Sequence, residues 1–116
     1  MRETLRDQGR LRHILMAIDN ITRFIEGKTS EDFSDDSVLF FAVVKNIEII
    51  GEAAYKLTPE FIANHPNTPW RQIIGMRHVL VHGYYQISAS EVWGVTQKRL
   101  APLKEQMEEY LKETEE

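Results

Sequence analysis

The chain has 116 residues, of which 42% are hydrophobic and 28% charged, and its formal net charge is −4. This composition excludes a disordered chain and is typical of one globular domain, here residues 1–116. The absence of cysteine excludes disulfide bonds and thiolate metal sites. We expect a cytoplasmic protein, because the chain starts without an apolar signal segment and its longest apolar run, residues 38–44, cannot span a membrane.

The charges are distributed unevenly along the chain. Residues 1–13 contain four arginines and two acidic residues, whereas residues 104–116 contain two lysines and six glutamates. Arg6, Arg10 and His13 fall on one side of a predicted first helix, where they are candidates for contacts with RNA phosphates. The alternative is that both ends of the chain are ordinary solvent-facing helix.

The first half of the chain predicts two long helices. Apolar residues at three- and four-residue spacing indicate a helix that ends at about Gly27, followed by a polar connection over residues 28–36. A second helix should run from about Asp35 to Leu57, capped by Asp35 or Asp36. Its many β-branched residues would also suit a strand, but its length without a turn signal favours a helix. We expect it to be the most buried helix, because it is apolar on nearly all sides.

Two Thr-Pro pairs predict the next two helices. Thr58 and Thr68 each precede a proline, as in a helix cap followed by proline in the first turn. They predict a short helix over residues 59–64 and a longer one from residue 69 to about 82, which Gly83 would end.

The last helix should begin at a capping box and be interrupted. Ser88 and Glu91 have the spacing of that motif. Pro102 should kink or break the helix near Lys98, because proline has no amide hydrogen to donate. The whole pattern predicts an all-α fold, an antiparallel bundle of four to five helices. The second helix is too apolar for one small bundle to cover, which predicts a homodimer.

Residues 77–85, Arg-His-Val-Leu-Val-His-Gly-Tyr-Tyr, concentrate the chemistry of the chain. Arg77 offers phosphate a planar set of donors and keeps its charge, and His82 can exchange a proton near neutral pH. Five residues separate them, which is roughly 140° around an ideal helix. Either His82 departs from ideal geometry at the helix end, or two chains face each other across one cleft. We favour the second arrangement.

The spacing Arg-x4-His-x-Tyr, formed by Arg77, His82 and Tyr84, resembles the signature of HEPN-domain ribonucleases, most closely their HepT-like branch. The stretches at residues 73–76, 50–53 and 92–93 are similar to that family as well, so the resemblance spans essentially the whole chain. It implies a homodimeric HEPN bundle that acts as a metal-independent endoribonuclease without a cofactor. It also implies that the protein is the toxin of a toxin–antitoxin pair, with Arg77 and His82 as catalytic residues.

The resemblance further implies a partner and a modification. In HepT-like toxins a nucleotidyltransferase antitoxin transfers AMP to the tyrosine at the position of Tyr84, and the complex with the antitoxin can be a higher oligomer. An adenylylated Tyr84 would carry a negative phosphodiester within reach of Arg77 and would block RNA. The alternative is that Tyr84 is a buried packing residue.

RNA cleavage of this type needs two proton transfers. His82 is the candidate for one, and either its dimer mate or His78 is the candidate for the other. Glu52 is a candidate supporting residue that could orient Arg77 or His82. The alternative for Glu52 is a surface salt bridge, because Lys56 follows it at helical spacing.

Two other functions fit the same residues. His78 and His82 are four residues apart and could bind zinc, although no third ligand is evident nearby. Alternatively, the chain could be a non-catalytic companion of a nucleotidyltransferase that binds nucleotide or presents substrate. Arg77 would then hold a nucleotide phosphate without cleavage.

Overall fold

The computed structural model describes residues 2–82 and 88–115, and it describes side chains within residues 5–77 and 88–114. Within these ranges the regular structure is entirely helical, which confirms the all-α prediction. No helix in the described ranges is both long enough and apolar enough to cross a membrane. The helices are α1 (Arg2–Ile25), α2 (Ser30–Asp35), α3 (Ser37–Tyr55), α4 (Pro59–Asn64), α5 (Trp70–His82), α6 (Ala89–Lys98) and α7 (Leu100–Glu115).

Helix α3 lies at the centre of the bundle, with α1 and α5 packed on either side and α7 packed on α1. Helices α1 and α3 are antiparallel. The Asp7 carboxylate accepts hydrogen bonds of 2.9 and 2.8 Å from the amide and hydroxyl of Thr58, just beyond the end of α3. Farther along, the Asn20 amide donates a bond of 3.1 Å to Asn46. The largest fully buried side chains are Leu11, Ile14, Ile18, Ile21, Phe33, Val43, Ile47, Ile50 and Met107.

The segment over residues 28–36 corrects the predicted polar connection, because it contains α2. Thr29 and Asp32 form a reciprocal capping box at its start, and Phe33 is completely buried against the core. One apolar residue in a short polar segment gives no periodicity, so the pattern of hydrophobic spacing could not reveal this helix. The capping box gives hydrogen-bond acceptors to two amide groups at the start of α2 that would otherwise have none.

Most of the predicted helix boundaries are confirmed. Asp36 caps α3, Thr58 caps α4 and Ser88 caps α6, each by accepting a hydrogen bond from an amide in the first turn. Helix α6 ends at Lys98 and α7 begins at Leu100, which is the interruption expected from Pro102.

The predicted cap Thr68 has a different role. Helix α5 begins at Trp70, and the Thr68 hydroxyl instead donates a bond of 2.9 Å to Gln106 in α7. The same hydroxyl lies 2.7 Å from that of Tyr110. Both partners belong to α7, far away in the sequence. The local Thr-Pro pattern therefore could not show whether the Thr68 hydroxyl caps α5 or forms hydrogen bonds to the last helix.

Helix α3 is central, but the bundle does not cover all of it. Val38 is 79% exposed, Phe41 59% and Tyr55 62%, and Ile49 is also exposed. These four residues, the α3 apolar patch, fall on one side of the helix at 100° per residue. The expectation that one bundle would leave part of this helix uncovered is therefore confirmed.

Candidate functional site

A groove of about 290 Å³ lies over the exposed side of α3, between α1 and α5. Helix α3 provides its floor, α1 provides one wall and α5 contributes Arg77 to the other. The lining residues are Arg10, His13, Lys45, Glu48, Ile49, Glu52, Ala53 and Arg77.

Gly51 allows α5 to approach α3 closely at the position of Arg77. A Cβ atom built on Gly51 would lie 2.5 Å from the Cβ of Arg77 and 3.2 Å from the carbonyl oxygen of Ile73. Gly51 is buried at this crossing. The absence of a side chain therefore lets the backbone of α5 pack against α3 and fixes where the Arg77 side chain starts.

The Arg77 guanidinium is held by two residues of α3. Its Nε lies 2.5 Å from a carboxylate oxygen of Glu52, and its central carbon lies 5.7 Å from the centre of the Tyr55 ring. Both contacts favour the cation and restrain a side chain that is 36% exposed. A guanidinium has five N–H donors, so one carboxylate leaves donors for a second anion.

Glu52 remains ionised in this setting. A hydrogen bond from Lys56, whose Nζ lies 3.2 Å away, lowers the pKa of Glu52, and the charge of Arg77 lowers it further. The predicted salt bridge with Lys56 and the contact with Arg77 therefore occur together. Glu48, one turn earlier on the floor, pairs with Lys45 at 3.8 Å.

The α1 wall carries groups without such partners. Within the described part of the chain, neither half-buried Arg10 nor exposed His13 makes a hydrogen bond or an ion pair. Arg6, one turn before Arg10, is exposed and does not line the groove. The structure thus brings Arg10 to the same groove as Glu52 and Arg77, but not Arg6.

The remaining predicted site residues lie in or near the end of α5. His78 and His82 belong to that helix, but their side chains are outside those that the structure describes. Tyr84 lies outside the described residues, as does Gly83.

Sequence reasoning missed the contact between Tyr55 and Arg77 and the packing role of Gly51. Tyr55 follows Glu52 at three-residue spacing, so the two share one side of α3. That spacing indicates that a residue in contact with Glu52 can also reach Tyr55. No local signal indicated which residue of α5 would pack on Gly51.

Comparison with known proteins places these residues in a family. The sequence profile of the family described as "Ribonuclease HepT-like" matches residues 14–110, which include the α3 floor and Arg77. The chain belongs to the HepT-like ribonuclease family. Within that family match lie Glu52 and Arg77, whereas Arg10 and His13 precede it.

Individual relatives support the assignment. The chain is 38% identical over 101 residues to "Putative RNase TTE0752" of Caldanaerobacter subterraneus, covering 87% of this chain and 90% of that protein. It is 34% identical over 102 residues to "Probable ribonuclease HepT" of Thermococcus cleftensis, covering 88% and 93%. It is also 35% identical to "Gamma-glutamylcyclotransferase and putative RNase MJ0434" of Methanocaldococcus jannaschii, covering 89% of this chain and 46% of that longer protein. No solved structure matches the chain.

Proposed function

We propose that this HepT-like protein is a metal-independent endoribonuclease and the toxin of a toxin–antitoxin pair. The observation that carries the proposal is the ion pair between Arg77 and Glu52 in a groove of a chain that belongs to a ribonuclease family. Because its contacts already restrain this guanidinium, binding a phosphodiester costs it little conformational entropy.

Arg77 would bind the scissile phosphate and stabilise the negative charge that develops on its non-bridging oxygens. Such a transition-state contact contributes about 3–4 kcal/mol in other enzymes. The ribose 2′-hydroxyl gives up its proton to a base as its oxygen bonds to phosphorus. The bond between phosphorus and the 5′-oxygen breaks, and that oxygen takes a proton. The products are a 2′,3′-cyclic phosphate and a 5′-hydroxyl.

His82 would perform one proton transfer, and a second histidine would perform the other. A correctly placed acid or base typically accelerates a reaction by about 10²–10⁴-fold. His78 and the His82 of a second subunit are the two candidates for the second role. Glu52 would act through Arg77 as a positioning residue, and Arg6 on α1 would attract the RNA backbone.

The α3 apolar patch supports a homodimer. Phe41 precedes the groove floor by one turn of α3 and Tyr55 follows it, and both share a side of α3 with Glu48 and Glu52. A second copy seated on this patch by a twofold axis would bring the two grooves together. The proposal of one cleft with residues from both subunits follows from that arrangement.

We extend the proposal to regulation by adenylylation. A nucleotidyltransferase antitoxin would transfer AMP to Tyr84, seven residues beyond Arg77 in the chain. The added phosphodiester would compete with RNA for the guanidinium. An intact mass one AMP heavier after incubation with the antitoxin and ATP, and unchanged for Tyr84→Phe, would support this step.

The decisive experiment is cleavage of bulk cellular RNA in excess EDTA by the wild type, Arg77→Ala and His82→Ala. We expect cleavage by the wild type alone, with cyclic-phosphate ends. Arg71→Ala is the matched control, because Arg71 is an exposed arginine of the same helix that does not line the groove. Cleavage that requires added zinc would contradict the metal-independent mechanism. Nucleotide binding without cleavage, by unmodified protein, would favour the companion function.

A further inference from the structure

Arg10 and His13 form a part of the groove that the proposed reaction does not use. They are three residues apart on α1 and face the groove across α3 from Arg77. The two carboxylates on the floor already have cationic partners, since Glu48 pairs with Lys45 and Glu52 pairs with Lys56 as well as Arg77. The positive charge on the α1 wall is therefore not neutralised by the groove itself.

The Arg10 side chain is partly covered in the groove, and no described residue occupies the hydrogen-bond donors of its guanidinium. The net charge of the chain is −4, so acidic residues are plentiful, and yet none among the described residues pairs with Arg10. An anionic ligand would supply the missing acceptor. His13 adds a second hydrogen-bonding group within one helical turn.

We propose that Arg10 and His13 bind the RNA phosphate next to the scissile one. This inference rests on the proposed function, in which Arg77 binds the scissile phosphate itself. The two binding positions lie on opposite walls of one groove of about 290 Å³, a volume that suits a short segment of a single strand rather than a duplex. The enzyme then distinguishes a substrate with two phosphodiesters from a substrate with one.

The test compares short substrates that can be cleaved at one position only. The first substrate is a dinucleotide. The other two are trinucleotides that extend it by one nucleotide, on the 5′ side or on the 3′ side. Only the nucleotide at the cleavage position keeps its 2′-hydroxyl, and all the remaining nucleotides carry a 2′-O-methyl group. For the wild type we expect a KM about tenfold lower for one of the trinucleotides than for the dinucleotide. Arg10→Gln and His13→Gln should each remove most of that advantage and leave kcat on the dinucleotide unchanged.

Arg23→Gln is the matched control, because Arg23 is an exposed arginine on the same helix, about 20 Å from Arg10 along its axis. It should retain the full preference for the trinucleotide. Equal KM ratios in Arg10→Gln, His13→Gln and Arg23→Gln would overturn the proposal, and so would a loss of kcat on the dinucleotide.

Binding of a fully 2′-O-methylated trinucleotide separates this proposal from the proposed nuclease function. Fluorescence anisotropy at several salt concentrations gives the slope of log binding constant against log salt concentration. This slope should be smaller in Arg10→Gln than in Arg23→Gln by about the amount that one phosphate contact contributes. That result without cleavage by the wild type would keep the phosphate site and reject the nuclease. Cleavage by the wild type with identical binding in both variants would keep the nuclease and reject the site.

Discussion

Glu52 connects the floor of the groove to the residue that would bind phosphate. Glu52→Gln keeps the shape of the side chain but removes the charge that attracts Arg77. We expect kcat for RNA cleavage to fall about tenfold or more with little change in KM, because a misplaced guanidinium stabilises the transition state less well. Steady-state kinetics on a short RNA measures both constants.

Glu48→Gln is the control for this substitution. Glu48 lies on the same floor and pairs with Lys45 rather than with Arg77. It should therefore retain nearly wild-type kcat. If the two variants lose activity equally, the carboxylates act through the general charge of the groove, and Glu52 does not position Arg77.

The lowered pKa of Glu52 predicts how its contribution to stability depends on pH. A carboxyl group whose pKa is lower in the folded protein stabilises the fold when the unfolded chain is ionised, and this contribution is lost as pH falls through the folded pKa. The difference in unfolding free energy between the wild type and Glu52→Gln should be constant from neutral pH to about pH 5 and should decrease below it. Urea unfolding at several pH values measures this difference.

The expected difference is small, because the Glu52 side chain is 38% exposed and water screens its ion pairs. Its dependence on pH is the informative part. A difference that instead grew as the solution became more acidic would contradict the assigned direction of the pKa shift.

At the scale of single residues, the sequence indicates which charged groups meet better than it indicates how the helices pack. The charges and spacing at Arg77 and Glu52 single out both residues, and the structure brings the two side chains into contact. The contact of Tyr55 with Arg77 depends on how α5 crosses α3, and periodicity along one helix does not determine a crossing point between two helices.

The crossing of α3 and α5 depends on Gly51. A methyl group there would overlap Arg77 Cβ and press on the backbone of α5, so the two helices would have to separate. We expect Gly51→Ala to destabilise the protein by about 1–3 kcal/mol, despite the better helix propensity of alanine. The thermal midpoint should fall by several degrees, and RNA cleavage should fall because Arg77 moves.

Gly75→Ala provides the comparison within α5 itself. Among the described residues, a Cβ on Gly75 meets no packing neighbour within 4 Å, so alanine there should leave the thermal midpoint unchanged or raise it slightly. If Gly51→Ala were as stable and as active as Gly75→Ala, close packing at Gly51 would not be what positions Arg77.

At the scale of elements, the helices predicted from strong local signals were correct. The caps at Asp36, Thr58 and Ser88 and the interruption before Pro102 all depend on groups within one turn. Helix α2 was missed because its single buried residue gives no repeating pattern. The hydroxyl of Thr68 was misassigned because its partners come from the other end of the chain.

At the scale of the whole molecule, the α3 apolar patch should set the oligomeric state. We expect the wild type to sediment at twice the monomer mass of 13.6 kDa. Phe41→Glu places a charge on that surface and should shift the equilibrium toward monomer. Leu5→Glu is the control, since Leu5 is also well exposed but lies on α1, and this variant should remain dimeric. Analytical ultracentrifugation over a range of concentrations distinguishes these outcomes.

The dimer also predicts how two inactive variants behave together. If Arg77 of one subunit acts with His82 of the other, a mixed dimer of Arg77→Ala and His82→Ala has one intact site. Equal mixing, followed by exchange of subunits, should then recover about a quarter of wild-type activity, because half the dimers are mixed and each has one functional site of two. Introducing Phe41→Glu into both chains should abolish the recovery. If each site is built within one chain, every site in the mixture lacks one catalytic residue, and if each site uses His82 of both subunits, every site in the mixed dimer does as well. In either case no activity returns, although the dimer itself would still form.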